Sequence, residues 1–374
     1  MSDFDLRRPN GLSCLRLILA TLVIVSHSPE LIDGNSSREW LKGIFGTLTS
    51  GQLAVYGFFF ISGYLVVDSA LRSTAYTFMF RRVLRIVPGY VVAYLISITV
   101  VFLLGGGEFG ELSPSRWAAK LAKMGFLLQP AQVGSAFAGS HSPDVNGSLW
   151  TISYEFRCYL LAALLVFWIG YTRLAFAAVA AVLALVLAFA WSRGAYLQYS
   201  FGHFEPIGSI DDTVRFTMIF AMGALFQLIK DKVPKDARIA LLCLVLLVAG
   251  MFSERFAPIA VGLFGGYLLL YVAFRNERSA IVSINRRNDI SYGVYLYAWP
   301  IQKLLILYLP GITPLQLTAM TVPLAFCAGF ASWHLVEKTA VRLRPPVLRL
   351  DALYPAVIRP KSAPDAVQDI PRAQ

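Results

Sequence analysis

Continuous apolar runs long enough to cross a bilayer dominate the sequence, and a water-soluble core has no room for so many of them. They begin near Leu12, Leu53, Val83, Leu149, Leu174, Val214, Ile239, Pro258, Ile290 and Leu315. A spanning helix needs roughly 20 apolar residues, and in hydrocarbon only helices and closed barrels satisfy every backbone group. The runs are continuous rather than alternating in ten-residue segments, which excludes a barrel. Of 374 residues, 57% are hydrophobic and 15% charged, with a mean hydropathy of +0.61, well outside the range of soluble domains. The sequence predicts an all-α polytopic transmembrane bundle of about ten spans.

Lysines and arginines set the orientation. The N-terminus, MSDFDLRRPN, is short and basic, and the run after it ends in SHSPEL without a small-residue cleavage signal, so it reads as an uncleaved first span. With both termini cytoplasmic, about 22 basic residues fall inside and about 8 outside. The net charge of +11 is therefore mostly a topology signal. No basic groove or nucleic-acid motif accompanies it, so a nucleic-acid partner is not expected. Residues 1–345 form the membrane domain, and residues 346–374, rich in proline and scattered charge, read as a disordered cytoplasmic tail. The outside loop from about Gly105 to Gly147 carries SRWAAKLAKMGFLL, which fits an amphipathic helix at the interface. Cys14, Cys158, Cys243 and Cys327 fall within spans without metal-ligand spacing and read as packing thiols; no metal is expected. Asn35 and Asn146 open N-glycosylation triplets, which matter only in a eukaryotic host.

The chemistry rests on polar residues inside apolar runs, where an ionisable group costs roughly 2.5–3.5 kcal/mol near the centre. Arg16 and His27 stand eleven residues apart on the first span, about three helical turns, and so share a face that implies a polar cavity. Of the other histidines, His141 and His203 fall in outside loops and His334 near the inner end of the last span. Glu155 lies about two turns into the fourth span from its outer end, a depth close to that of His27. A carboxylate facing a histidine raises its basicity and fixes its tautomer, so His27 and Glu155 fit a base-and-orienter pair. The structural alternative for Glu155 is an ion pair with another span's base. At the opposite surface, RRVLRIVP puts Arg81, Arg82 and Arg85 at three- and four-residue spacings, suited to gripping a phosphorylated ligand or to ordinary positive-inside anchoring.

Four segments in order resemble the acyltransferase-3 family of integral membrane enzymes that O-acylate bacterial glycans. They are Arg16 and His27; GFFFISGYL with Phe59, Ser62, Gly63 and Tyr64, followed by Arg82, Arg85 and Pro88; SLWTISYEF with Trp150 and Glu155; and SYGVYLYAWPIQ, which contains Tyr292. Together they cover nearly the whole chain. The resemblance departs at Ala298, where many members carry a histidine, and in the lack of the soluble esterase-like domain that larger members add after the last span.

The resemblance implies acetyl-CoA as donor, a sugar hydroxyl of a lipopolysaccharide O-antigen, exopolysaccharide or related oligosaccharide as acceptor, and the bacterial inner membrane as location. An alcohol attacking a thioester must lose its proton as the bond forms, and a neutral imidazole suits that task. His27 is then the general base, with Glu155 orienting it. Arg82 and Arg85 hold the donor phosphates from the cytoplasm, and Arg16 lines the route. Ser62 is either a hydroxyl nucleophile or a small residue for helix packing; packing and direct transfer are preferred. A secondary transporter or flippase for a sugar or lipid-linked substrate is the alternative, although the inverted repeats of such transporters are not evident. A soluble serine hydrolase lacks its G-x-S-x-G elbow here.

Overall fold

The computed structural model describes residues 3–6, 9–169, 173–192, 209–275 and 282–343. The tail 346–374 and His203 lie outside the described residues. Among the described residues no strand forms; they make a bundle of helices joined by loops. The principal helices are α1 (Leu12–Asp33), α2 (Trp40–Phe45), α3 (Ser50–Leu71) and α4 (Ala75–Ile96, running on through a π turn to Leu104). The surface helix α5 (Pro114–Gly125) precedes α6 (Trp150–Ile169), α7 (Arg173–Ser192), α8 (Ile210–Ile229) and α9 (Ala237–Met251). Last come α10 (Ala257–Ala260, continued to Ala273), α11 (Ser291–Tyr308) and α12 (Pro314–Ser332, continued to Val341). Among the described residues six helical stretches, Leu12–Asp33, Ser50–Leu71, Tyr76–Leu104, Ala175–Ser192, Ile210–Ile229 and Pro314–Val341, are long and apolar enough to cross a membrane. The chain is a multi-pass membrane protein.

Local sequence starts these helices where the hydropathy pattern places them. Thr49 with Gln52 and Thr313 with Gln316 form capping boxes at the heads of α3 and α12, each satisfying donors that the first turn leaves open. Burial then sorts the faces. Leu185, Leu315 and Leu335 are 71%, 80% and 78% exposed, a display that water would penalise and lipid tails accept. The inside, by contrast, holds Asn146, Gln302, Lys303 and Glu337.

Close helix contact depends on small residues. A Cβ built on Gly63 of α3 would lie 2.1 Å from the Phe220 carbonyl oxygen, and one on Gly223 of α8 would lie 2.1 Å from that of Phe60. The two glycines thus let the backbones of α3 and α8 touch reciprocally, the way membrane helices pack without a hydrophobic drive between them. Because both obstacles are backbone, neither can step aside. Gly63→Val is expected to separate the helices at a cost at or above the usual 1–3 kcal/mol of overpacking, read as a fall in folded protein on size exclusion in detergent.

The segment between α4 and α6 folds back into the bundle. Tyr90 and Tyr94, well inside α4, donate to the carbonyls of Leu128 and Lys120, each at 2.7 Å. Lys303 of α11 holds Ser140 and Ser142, and the fully buried Asn146 side chain donates to Ser97 Oγ and the Leu296 carbonyl at 3.1 and 3.0 Å. Leu127, Ala131 and Phe137 carry positive φ along this path, a conformation non-glycine residues take only when surroundings impose it. The expected amphipathic helix is present as α5.

Candidate functional site

A cavity of about 90 Å³ opens between α1, α3, α4, α6 and α11, and most of the polar residues picked out in the sequence line it. Arg16 enters from α1, Ser62 from α3, Arg82 and Arg85 from α4, Glu155 and Tyr159 from α6, and Tyr292 and Tyr295 from α11. Phe58, Phe59, Leu65 and Ile152 supply apolar wall.

Its acidic corner is a shared hydrogen bond. Ser62 Oγ donates to Glu155 Oε1 at 3.0 Å, and Tyr159 Oη donates to the same oxygen at 2.5 Å. Tyr159 follows Glu155 by four residues and therefore stacks on the same helical face. Gly63, its neighbour in SGY, carries the tight packing described above. Ser62 instead turns its hydroxyl into the cavity.

The basic wall is mostly neutralised from within. Arg16 Nη1 and Arg85 Nη2 each meet Asp289 Oδ2 at 2.6 Å, and Arg85 Nη1 lies 3.4 Å from Glu337 Oε2. Asp289 also accepts from Asn285 Nδ2 at 3.1 Å and Ser291 Oγ at 2.6 Å. Burial works against the Asp289 charge, but the two guanidinium groups and these donors hold its carboxyl well below the usual carboxylate range. Two arginines thus face two carboxylates. Arg85 is committed to the protein's own acids rather than converging with its neighbours on one open anion site.

Arg82 is different. It makes no ion pair among the described residues; its guanidinium lies 5.8 Å from the ring centres of both Phe78 and Tyr159, and its Nε is buried without a hydrogen-bond partner. An unpaired buried N–H is costly and rare in proteins. Arg82 and Arg85 also line a second cavity of about 480 Å³ beside Arg81 and Arg342. The two arginines therefore form the wall between a basic vestibule and the buried chamber.

His27 is not in this chamber. Its Nδ1 lies 2.9 Å from Glu30 Oε2, and its ring meets the edge of Trp299 at a centroid distance of 5.0 Å. The expected pairing of His27 with Glu155 is not the one formed. Hydropathy begins the fourth span at Leu149, which by itself would put that residue at the surface. The folded-back segment instead starts α6 inside the bundle, which carries Glu155 to the arginines. On the face of α1 between Arg16 and His27, Ala20 and Ile24 pack with Val294 and Ala298 of α11 and Ala325 of α12, all 0–2% exposed. An apolar layer of packed side chains separates the two polar regions.

The remaining residues take structural places. Tyr64 is fully buried and donates to the Phe4 carbonyl, pinning the N-terminal segment. Trp150 packs edge-on against Tyr154 at 5.6 Å and lies 5.5 Å from Phe216. Tyr292 lines the chamber and donates to the Ile86 carbonyl at 2.9 Å, while Arg85 lies 5.9 Å over its ring. Arg157 rests over Tyr154, His141 packs on Gly34, and His334 bonds the Phe330 carbonyl one turn back. The four cysteines are free. Among the described residues no group of three or more His, Cys, Asp or Glu side chains is placed to hold a metal ion.

Sequence reasoning missed Asp289, Glu337, Tyr159 and Glu30. Helical spacing alone could have found two of them, Glu30 three residues beyond His27 and Tyr159 four beyond Glu155. Asp289 and Glu337 are acids standing among bases in the sequence, and only the fold reveals their partners.

The chain is thus a helical membrane protein in which an arginine-walled cavity adjoins a second, basic one. The acyltransferase-domain family, acyltransferase 3, matches residues 10–334, and the chain belongs to it. It is an acyltransferase. It is similar to an O-acetyl transferase of Shigella phage Sf6, 27% identical over 92% of this chain and 100% of that protein. It is also similar to nodulation protein 10 of Rhizobium leguminosarum bv. viciae, 30% identical over 90% of this chain and 94% of that protein. No solved structure matches it. Family membership favours group transfer over the transporter and flippase alternatives.

Proposed function

We propose that the chain crosses the bacterial inner membrane ten times with both termini cytoplasmic, and moves an acetyl group from acetyl-CoA to a hydroxyl of a cell-surface or secreted glycan. The observation that carries this reading is Arg82, a half-buried arginine with a buried, unsatisfied Nε that lines both vestibule and chamber. The donor's phosphates fit the vestibule, where arginines offer charge-assisted hydrogen bonds, and its thin pantetheine arm fits the passage into the chamber. The similarity to a protein named as an O-acetyl transferase supports the acetyl group.

His27 acts as the general base on the far side of the apolar layer. Its imidazole takes the acceptor's proton as the sugar oxygen attacks the thioester carbon; the C–S bond then breaks and coenzyme A leaves as thiolate. Direct transfer requires the acetyl end of the arm to pass the layer at Ala20 and Ala298, whose methyl side chains leave the narrowest walls that L-residues allow. Glu155, with Ser62 and Tyr159, belongs to the donor side, where its carboxylate accepts hydrogen bonds along the route of the arm. Residues 346–374 remain the proposed cytoplasmic tail.

The test is incorporation of radiolabel from acetyl-CoA into polysaccharide by membranes containing the protein. Transfer with Arg82→Gln showing a KM for acetyl-CoA raised about tenfold or more, equivalent to one charge-assisted bond of roughly 1.5–3 kcal/mol, is the expected result. Absence of transfer by the wild-type protein, or an R82Q variant with unchanged KM, overturns the reading.

A further inference from the structure

The pocket around His27 holds a carboxylate that the proposed reaction has not used. We infer that Glu30 is the positioning residue of the catalytic base, fixing the tautomer of His27 so that Nε2 takes the acceptor's proton. This rests on the reading of His27 as the base.

Three observations carry it. First, Glu30 Oε2 lies 2.9 Å from His27 Nδ1, three residues along the same helix, and its side chain is 39% exposed, so water sustains the carboxylate charge. A carboxylate only accepts; the contact therefore places the imidazole proton on Nδ1 and the lone pair on Nε2. Second, Nε2 has no protein partner among the described residues, which leaves the basic nitrogen for a substrate.

Third, the ring is held from the other side by a fixed indole. Trp299 donates its Nε1–H to the Asp144 carbonyl at 3.2 Å, and a Cβ on Gly147 would lie 2.6 Å from the indole, so the folded-back segment presses directly on it. The imidazole meets that indole edge-to-face. With its plane set by Trp299 and its Nδ1 by Glu30, the ring has little freedom left in orientation. The backbone fixes Glu30 in turn: its carbonyl accepts the Gly34 N–H at 2.8 Å, where φ of +73° ends α1. Lys42 of α2 adds a positive charge near the carboxylate. A histidine bonded to a carboxylate that orients it while the second nitrogen works is the general design of an oriented base.

The experiment measures acetyl transfer from labelled acetyl-CoA to polysaccharide in membranes carrying Glu30→Ala, Glu30→Gln, His27→Ala and the H27A/E30A double variant at matched protein levels. Loss of the orienting partner is expected to lower kcat about 10–100-fold in E30A with the KM for acetyl-CoA unchanged. E30Q, whose amide oxygen still accepts from Nδ1–H, is expected to recover part of the rate. In the H27A background E30A should cause no further loss, because Glu30 acts only through the imidazole. The ¹⁵N signals of His27, assigned by their loss in H27A, should show the Nδ1–H tautomer in wild type and in E30Q and a mixture in E30A. Full activity in E30A, an equal loss of rate in the H27A background, or a loss expressed in KM each overturns the inference. Full activity in H27A overturns instead the assignment of the base.

Discussion

Membranes carrying His27→Ala are expected to transfer acetyl groups about 10²–10⁴-fold more slowly than wild type, the usual contribution of a positioned general base, while binding acetyl-CoA normally. The two halves of this expectation come from different places. Loss of rate follows because a sugar hydroxyl, with its high pKa, attacks a thioester slowly unless its proton is removed in the transition state. Intact donor binding follows because His27 stands beyond the apolar layer and touches none of the arginines that line the chamber and vestibule. Single-turnover label transfer checks the first half and equilibrium binding of radiolabelled acetyl-CoA the second. An H27A variant that keeps its transfer rate removes His27 from the mechanism. A slow variant that has also lost donor affinity places the histidine in the donor site.

The largest expected effect on stability is that of Asp289→Asn. One carboxylate oxygen receives two guanidinium groups, and the Arg16 and Arg85 side chains are 23% and 18% exposed. Removing the acid leaves Arg16 without its carboxylate and Arg85 with only the longer contact to Glu337, two like charges facing each other with little water. Breaking a buried pair in this way costs about 3–5 kcal/mol, enough to exhaust much of the margin of an ordinary domain. D289N is expected to unfold at markedly lower temperature in detergent, and D289N/R16Q, with one fewer uncompensated charge, to recover part of the loss. The pH dependence has a definite sign. Asp289 has a folded-state pKa below its unfolded value of about 3.9, so its contribution is complete above that value. It falls away only as pH drops through the lower, folded-state value. Between pH 7 and 5 the wild-type advantage over D289N should therefore stay constant. A D289N melting temperature equal to that of wild type would show that the arginines find other partners.

Much of this structure was legible in advance, because a hydrocarbon solvent makes hydropathy and helix nearly synonymous. The helices lie where the apolar runs lie, and Arg16, Ser62, Arg82, Arg85, Glu155 and Tyr292 do meet in one cavity. Depth was the quantity that failed. Hydropathy reports which residues are apolar and not how far a loop descends between helices, so Glu155 read as a neighbour of His27 when α6 in fact begins below the surface. The Asp289 clamp was equally hidden, since its contact with Arg16 joins residues 273 apart in sequence. In sequence Ser62 fits either a nucleophile or a packing residue beside Gly63. Only their opposite faces separate the one that packs from the one that lines the chamber.

The small apolar layer of Ala20, Ile24, Val294, Ala298 and Ala325 also bears on bioenergetics. Any enzyme that opens a wet cavity toward one compartment and keeps a proton-transferring group toward the other risks becoming a proton leak. Side chains packed to 0–2% exposure at the level between them act as electrical insulation. With aqueous access on either side, the membrane potential falls mainly across that thin septum, where each 100 mV is worth about 2.3 kcal/mol per elementary charge. A neutral acetyl thioester crosses such a field without penalty. On the proposed donor, the phosphates would stay with the arginines while the uncharged acetyl end crosses the layer.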